Sequence, residues 1–81
     1  MKTEFSARAA RDYKNLPPEL RALVRKQLNL LRDNLRHPSL NAKKYGGTDG
    51  VWQGRVNRDY RFYFEIPDGA YRINSIVPHP K

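Results

Sequence analysis

The sequence contains no cysteine among its 81 residues and only two histidines, His37 and His79. The absence of cysteine excludes a disulfide framework and a thiolate zinc site, which often stabilise small domains. The two histidines have no cluster of carboxylates beside them in the sequence. We therefore expect neither a metal site nor a cofactor.

Long apolar runs are also absent. No N-terminal stretch resembles a signal peptide, and no segment approaches the roughly 20 apolar residues that span a bilayer. We therefore expect a cytoplasmic protein without membrane association. The chain shows no repeat and no linker, so residues 1–81 are predicted to form a single domain.

Acidic residues are scarce relative to basic ones. The chain carries 16 Lys and Arg against 8 Asp and Glu, which gives a net charge of +8. Such a balance favours a polyanionic partner, meaning nucleic acid, an anionic membrane surface or an acidic protein. Residues 43–61 alone hold five bases and two acids, so the excess charge lies within predicted strands rather than in a tail.

Hydrophobic spacing predicts the element order β-α-α-β-β-β. Residues 2–5 can form a first strand, and Ser6 is a plausible N-cap for a helix to about residue 15. Two prolines then restart the chain as a second helix over about residues 18–35. The apolar stripe of this helix consists of Leu20, Leu23, Val24, Gln27, Leu28, Leu31 and Leu35.

A polar connection over residues 38–50 leads to strands at about 51–57, 59–66 and 70–77. The turns between them are marked by Asn57-Arg58 (or Arg58-Asp59) and by Pro67-Asp68-Gly69. The predicted fold class is α+β, an antiparallel sheet packed against a two-helix hairpin. Its main core should join Leu20, Leu23, Val24, Leu28 and Leu31 to Trp52, Val56, Phe62 and Phe64, with Ile73 on the same sheet face.

The central strands alternate between apolar and basic residues. Successive strand residues point to opposite sides of a sheet, so Gln53 and Arg55 lie opposite to Trp52 and Val56. The next strand repeats the pattern: the outer residues are Arg61, Tyr63 and Glu65, and the inner residues are Tyr60, Phe62, Phe64 and Ile66. A basic, aromatic outer face of this kind suits a nucleic-acid backbone.

Several ordered motifs carry a resemblance to a known family. They are Leu16-Pro17 before a basic helix, His37-Pro38-Ser39-Leu40, Lys43-Lys44-Tyr45-Gly46-Gly47, and Trp52-x-x-Arg55-Val56-x-x-x-Tyr60-Arg61-Phe62. With the element order, they resemble the RelE/ParE superfamily of toxins from bacterial type II toxin–antitoxin systems over essentially the whole chain. The resemblance implies an acidic antitoxin partner and a toxin–antitoxin hetero-oligomer.

The resemblance implies two activities. RelE-like members cut mRNA in the ribosomal A site without a metal, and ParE-like members poison DNA gyrase. We expect the first: a ribosome-dependent mRNA interferase, an RNA-binding endoribonuclease that inhibits translation. The alternatives are a non-enzymatic gyrase inhibitor that binds through the helical hairpin, and an inactive basic domain that binds nucleic acid or antitoxin.

Metal-independent RNA cleavage needs a base for the ribose 2′-OH, a cationic clamp for the phosphorane and an acid for the departing 5′-oxygen. Arg61 is the predicted clamp, because a guanidinium binds phosphate bidentately. The alternative is a structural ion pair with Glu65 or with an antitoxin acid. Arg55 would widen the anion site, and Arg72 on the last strand would complete it.

Proton transfer is assigned to three candidates. Lys43 or Lys44 is either a general base close to arginines or a contact to the phosphate backbone. His79 is a candidate acid or base, since imidazole titrates near neutral pH.

Tyr63 is predicted to stack a base or to pack against the long connection, and Gln53 is a further substrate-binding candidate on the same face.

Overall fold

The computed structural model describes residues 2–45 and 50–79. Gly46-Gly47 of the Lys43–Gly47 motif and the terminal Pro80-Lys81 lie outside these residues. The helices are α1 (Ala7–Lys14) and α2 (Pro18–Asp33), and two short 3-10 turns cover Pro38–Leu40 and Pro67–Gly69. The strands are β1 (Thr3–Phe5), β2 (Lys43–Lys44), β3 (Trp52–Arg55), β4 (Tyr60–Glu65) and β5 (Tyr71–Pro78).

Local chemistry sets the ends of both helices. The Ser6 hydroxyl accepts the N–H of Ala9 at 3.0 Å, which confirms the predicted N-cap of α1. Helix α2 begins at Pro18 but ends at Asp33, two residues before the predicted end at Leu35. The reason is that Asn34 is extended and its side chain accepts the N–H of Arg36 at 3.0 Å. In the described part of the chain, neither helix is long and apolar enough to cross a membrane.

The five strands form one sheet in the order β1-β5-β4-β3-β2. Strands β3, β4 and β5 form the predicted antiparallel meander, whereas β1 pairs in parallel with β5. The predicted polar connection over residues 38–50 contains regular structure that the prediction did not include, namely β2 and a 3-10 turn. A two-residue strand is too short to produce a recognisable periodicity.

The core lies between α2 and one face of the sheet. Of the predicted core residues, Val24, Leu28, Leu31, Val56, Phe62 and Phe64 are buried. The other three, Leu20, Leu23 and Trp52, are only partly buried and pack at its margin. The connection and the last strand supply buried residues that the predicted core omitted: Leu40, Tyr71 and Ile76.

One close contact joins β3 to β4, and another joins α2 to β3. The ring of Phe62 lies over Gly54, where a Cβ atom would overlap it, so glycine permits the close approach. The buried amide of Gln27 donates to the carbonyl oxygens of Ser39 at 3.0 Å and Arg55 at 2.8 Å. Helix α2 therefore fixes the backbone at the end of β3, at Arg55, whose side chain points to the other face of the sheet.

Candidate nucleic-acid interface

The sheet surface opposite the core is called the outer face here. Strand pairing arranges its side chains in rows, with Arg55 of β3 directly opposite Arg61 of β4, and Arg61 opposite Val77 of β5. The neighbouring row runs across four strands through Lys43, Gln53, Tyr63 and Ser75. The structure thus brings most of the predicted site residues onto adjacent rows of one surface.

Arg55 and Arg61 form a like-charge cross-strand pair. Side chains directly opposite each other have Cβ atoms about 4.5–5.5 Å apart, and like charges in such positions destabilise a sheet. Among residues 2–45 and 50–79 the one ion pair joins Arg8 and Asp12, so neither arginine of this pair meets a carboxylate there. The two positive charges are therefore left without an internal counter-ion in that part of the chain.

The turn between β3 and β4 holds the Arg61 guanidinium. Its Nη1 donates to the carbonyl oxygens of Asn57 and Tyr60, and the side chain is partly buried. Asn57 closes the turn, because its side-chain oxygen accepts the N–H groups of Asp59 and Tyr60 at 2.9 Å each. Arg61 is thus oriented by neutral backbone groups, and its full charge remains available to an anion.

The predicted alternative for Arg61, an ion pair with Glu65, is not formed. Glu65 instead accepts a hydrogen bond from the Asn74 amide at 2.8 Å and lies opposite Arg72. Glu65 is four residues from Arg61 along β4, about 13 Å at the usual rise of a strand. Arg72 therefore lies at the far end of the outer face, and the structure does not bring it next to Arg55 and Arg61.

The two adjacent lysines of β2 lie on opposite faces of the sheet. Lys43 pairs with Gln53 and shares the outer face. Lys44 pairs with Trp52, and its Nζ lies 5.9 Å from the centre of the indole ring on the core side. Both were predicted as candidates for proton transfer, but the structure unites only Lys43 with the arginines.

His79 follows β5 and lies beside the turn that holds Arg61. Its backbone N–H donates to the carbonyl oxygen of Asp59 at 2.7 Å, and the residue is exposed. His79 lies two residues beyond Val77, the register partner of Arg61, and directly follows the end of β5 at Pro78. Its backbone is therefore close to that of the arginine pair.

Tyr63 lies in the centre of the outer face and contacts the connection. Its ring meets that of Tyr45 edge-on, with 5.1 Å between the ring centres. The prediction left stacking and packing open, and the packing contact exists. The two rings together provide an aromatic surface one row away from the arginine pair, which is suited to a nucleic-acid base.

A pocket of about 300 Å³ opens on this surface, and sequence reasoning missed most of its lining. The lining consists of Arg8, Tyr45, Val51, Tyr63, Ser75 and Val77. Ser75 and Val77 reach it because β5 has a bulge opposite Tyr63 and Phe64. The spacing of Tyr71, Ile73 and Ile76, two residues and then three, is the sequence signal for that bulge.

The chemistry of the outer face is cationic and aromatic. The described residues hold no group of three or more His, Asp or Glu side chains placed to bind a metal ion. Burial raises the pKa of the Tyr71 phenol, but this side chain belongs to the core and not to the outer face. Guanidinium groups beside aromatic rings are the groups that contact phosphates and bases.

Solved structures share this architecture. The YoeB/ParE toxin from Agrobacterium tumefaciens matches with a TM-score of 0.84 at 13% identity, over 99% of this chain and 100% of that chain. The RelB-RelE antitoxin-toxin complex from Methanococcus jannaschii gives 0.78 at 17% identity, covering 93% of this chain and 88% of that chain. The YoeB dimer from Staphylococcus aureus gives 0.78 at 20% identity, covering 99% and 98%.

At these identities the likeness establishes the fold. The chain has the RelE-like fold that its motifs predicted, with two helices and a five-stranded, mostly antiparallel sheet. No protein-family model and no curated protein matches the sequence.

Proposed function

We propose that this protein is the toxin of a type II toxin–antitoxin system and cleaves ribosome-bound mRNA without a metal ion. The observation that carries the proposal is the Arg55–Arg61 pair on the outer face. The RelE-like fold supports it, since toxins are among the structures that share this fold.

The arginine pair has a physical cost that a bound anion would remove. Two directly opposed cations repel each other, and no described carboxylate neutralises them. A phosphate between the two guanidinium groups would accept charge-assisted hydrogen bonds from both. An anion site at this place explains why the sheet tolerates the pair.

Phosphate binding at this pair fits cleavage through the ribose 2′-OH. In that reaction the 2′-oxygen attacks the adjacent phosphorus while the bond to the 5′-oxygen breaks, leaving a 2′,3′-cyclic phosphate and a 5′-OH. Negative charge grows on the non-bridging oxygens in the transition state. Arg61, held in place by the turn, stabilises that charge, and Arg55 assists from the neighbouring strand.

Lys43 and His79 are the groups available for proton transfer. Lys43 lies two strands and two residues away from Arg61, about 12 Å between backbone positions, so the two long side chains can meet at one nucleotide. We assign it to the 2′-OH, as base or as backbone contact, and His79 to the departing 5′-oxygen. Lys44 has no part in this scheme, because it lies against Trp52.

The remaining predicted residues have supporting roles. Tyr63 and Gln53 lie in the row beside the arginines and would contact the flanking base and ribose. Arg72 lies opposite Glu65 at the far end of the face, so it would contact substrate only at a distance from the cleaved bond.

The proposed partner is an acidic antitoxin that covers the outer face. The net charge of +8 and the arginine pair without a described carboxylate partner favour an acidic segment. Binding would stabilise the fold by linkage and would weaken as salt screens the exposed charges. The test requires a small acidic protein encoded by a neighbouring reading frame, whose affinity for this chain is measured from low to high salt. An affinity that does not change with salt contradicts the electrostatic account.

A second candidate function is inhibition of DNA gyrase through the helices. It is favoured by the exposed basic side chains of α2, namely Arg25, Lys26 and Arg32. This function would use the helical surface and would leave the outer face free.

The deciding experiment combines purified toxin with mRNA, in the presence and absence of ribosomes, and maps the RNA ends. A parallel reaction with gyrase, ATP and supercoiled DNA scores trapped cleavage complexes. The proposal predicts 2′,3′-cyclic phosphate ends on ribosome-bound mRNA, and no gyrase complexes. Gyrase complexes without RNA ends would establish the second function. If neither product formed, the remaining function would be that of a basic binding domain without enzymatic activity.

A further inference from the structure

The pocket on the outer face contains a cation from a part of the chain remote from the strands. Of its six lining residues only Arg8 is charged, and Arg8 belongs to α1. The other lining side chains come from the sheet and the connection. The pocket is therefore shared between the N-terminal helix and the sheet.

Helix α1 reaches the pocket because it lies along β5 beyond the residues that pair with β1. Strand β1 ends at Phe5, whereas β5 continues to Pro78. The Ser6 N–H donates to the carbonyl of Ile73 at 2.9 Å, and its hydroxyl donates to that of Asn74 at 2.9 Å. The first turn of α1 is thus fixed to β5 beside the bulge.

Asp12 makes the next connection. Its Oδ2 accepts the backbone N–H of Ile76 at 3.0 Å, just beyond the bulge. The same oxygen lies 3.6 Å from Nε of Arg8, one turn earlier on the helix. One carboxylate therefore ties α1 to β5 and also lies beside the Arg8 side chain that lines the pocket.

The two terminal nitrogens of the Arg8 guanidinium are available to a ligand. The contact with Asp12 uses Nε, and no hydrogen bond to a described residue engages Nη1 or Nη2. The Arg8 side chain is 64% exposed, whereas that of Asp12 is 24% exposed. A positioned guanidinium with two free nitrogens is suited to a phosphate group.

We propose that Arg8 binds a phosphate of single-stranded RNA next to the one held by Arg61, and that Asp12 is its positioning residue. Arg8 approaches the sheet at Ser75 and Val77, and Val77 is the register partner of Arg61. Arg8, Arg61 and Arg55 then follow one another across the outer face. The Tyr45–Tyr63 pair lies beside them. This inference rests on the proposed function for the identity of the ligand as RNA.

The test is binding of a fluorescent, non-cleavable 2′-O-methyl RNA oligonucleotide, measured by anisotropy over a series of salt concentrations. Arg8→Ala should weaken binding severalfold and reduce the magnitude of the slope of log affinity against log salt by about 0.7, the value for one phosphate contact on a single strand. The control is Arg11→Ala, which removes the same charge from the same helix at an exposed position that does not line the pocket. It should leave both quantities close to those of the wild type.

Asp12→Asn and Arg8→Lys sharpen the test. Asp12→Asn keeps an oxygen for the Ile76 N–H but removes the negative charge beside Arg8. If Asp12 positions Arg8, affinity should fall toward that of Arg8→Ala; a rise in affinity would show that Asp12 acts only through its charge and is not a positioning residue. Arg8→Lys keeps the charge and should restore the salt slope, with only part of the affinity. Thermal melts establish that each variant is folded.

Equal affinities and slopes for Arg8→Ala and Arg11→Ala would overturn the inference, and so would a wild type that does not bind the oligonucleotide. The first result leaves ribosome-dependent cleavage untouched if the wild type still cuts mRNA. A wild type that binds RNA with an Arg8-dependent slope but does not cut mRNA would keep the inference and remove the proposed activity.

Discussion

The core face and the outer face of the sheet are built from the same strands, and they differ in whether their side chains are satisfied within the chain. On the core face, Phe62, Phe64 and Ile73 are at most 1% exposed and pack against α2. On the outer face, Arg55 and Arg61 oppose each other without a described carboxylate partner. The core face is packed within the chain, whereas the proposed function assigns the outer face to a bound anion.

The outer face repeats this contrast between its own two ends. At the Arg72 end, Glu65 lies opposite a cation and accepts a hydrogen bond from Asn74. At the Arg61 end the same strand presents two cations to each other. This difference is why the proposed function places the anion site at the Arg61 end.

The largest expected effect concerns the core face. Leu31→Ala removes a side chain that is 0% exposed and leaves a cavity, so the free energy of unfolding should fall by about 2–5 kcal/mol. Leu20→Ala, at the margin of the core, should cost clearly less. Urea denaturation measures both variants. Equal losses would show that the core does not centre on Leu31.

Gly54→Ala tests the contact between two strands on the same face. The added methyl group would overlap the Phe62 ring, which is buried and cannot move away, so the variant should lose about 1–3 kcal/mol of stability. The double variant with Phe62→Leu should lose less stability than the sum of the losses of the two single variants. Strict additivity in denaturation experiments would mean that the ring does not set the cost.

Lys43→Ala and Lys44→Ala compare the two faces within one dipeptide. If Lys43 contacts the RNA backbone, its loss should slow mRNA cleavage about fivefold, equivalent to roughly 1 kcal/mol. If Lys43 is the base, the loss should be a hundredfold or more. Lys44→Ala should leave the rate unchanged, because Lys44 lies on the core side. A slower rate for Lys44→Ala alone would reverse the assignment of faces.

The smallest effect is a pH dependence of the core face. Burial raises the pKa of Tyr71 above its ordinary value of 10.0, so the unfolded chain loses this proton first as the pH rises. The folded state then binds more protons than the unfolded state, and stability falls above about pH 10. Relative to Tyr71→Phe, the wild type should lose under about 1 kcal/mol by pH 10.5. A constant difference between the two proteins from pH 8 to 10.5 would contradict this burial effect.

Much of the fold was predictable from the sequence, because strong local patterns govern it. The Ser6 cap, the proline start of α2 and the alternation through β4 each depend on neighbouring residues alone. The parallel pairing of β1 with β5 was not predictable, since it depends on where two distant segments meet. Strand β2 escaped prediction because two residues carry no period.

The candidate site was predictable in part for the same reason. Alternation placed Arg55, Arg61 and Tyr63 on one face, and the structure agrees. The separation of Lys43 from Lys44 required the register of β2. The position of Arg8 at the pocket could not be predicted, because it depends on the bulge in β5 and on the Asp12 contact, which are tertiary features.

The rate of mRNA cleavage on ribosomes by the wild type, Arg61→Ala and Arg72→Ala tests the central claim most directly. The two variants remove the same charge from opposite ends of the outer face, and each should change stability by less than about 1 kcal/mol. Arg61→Ala should slow cleavage by about a hundredfold or more, Arg61→Lys should recover part of the rate, and Arg72→Ala should cleave nearly as fast as the wild type. Equal rates for the wild type and Arg61→Ala, or equal losses in Arg61→Ala and Arg72→Ala, would contradict the claim that the Arg55–Arg61 end is the site.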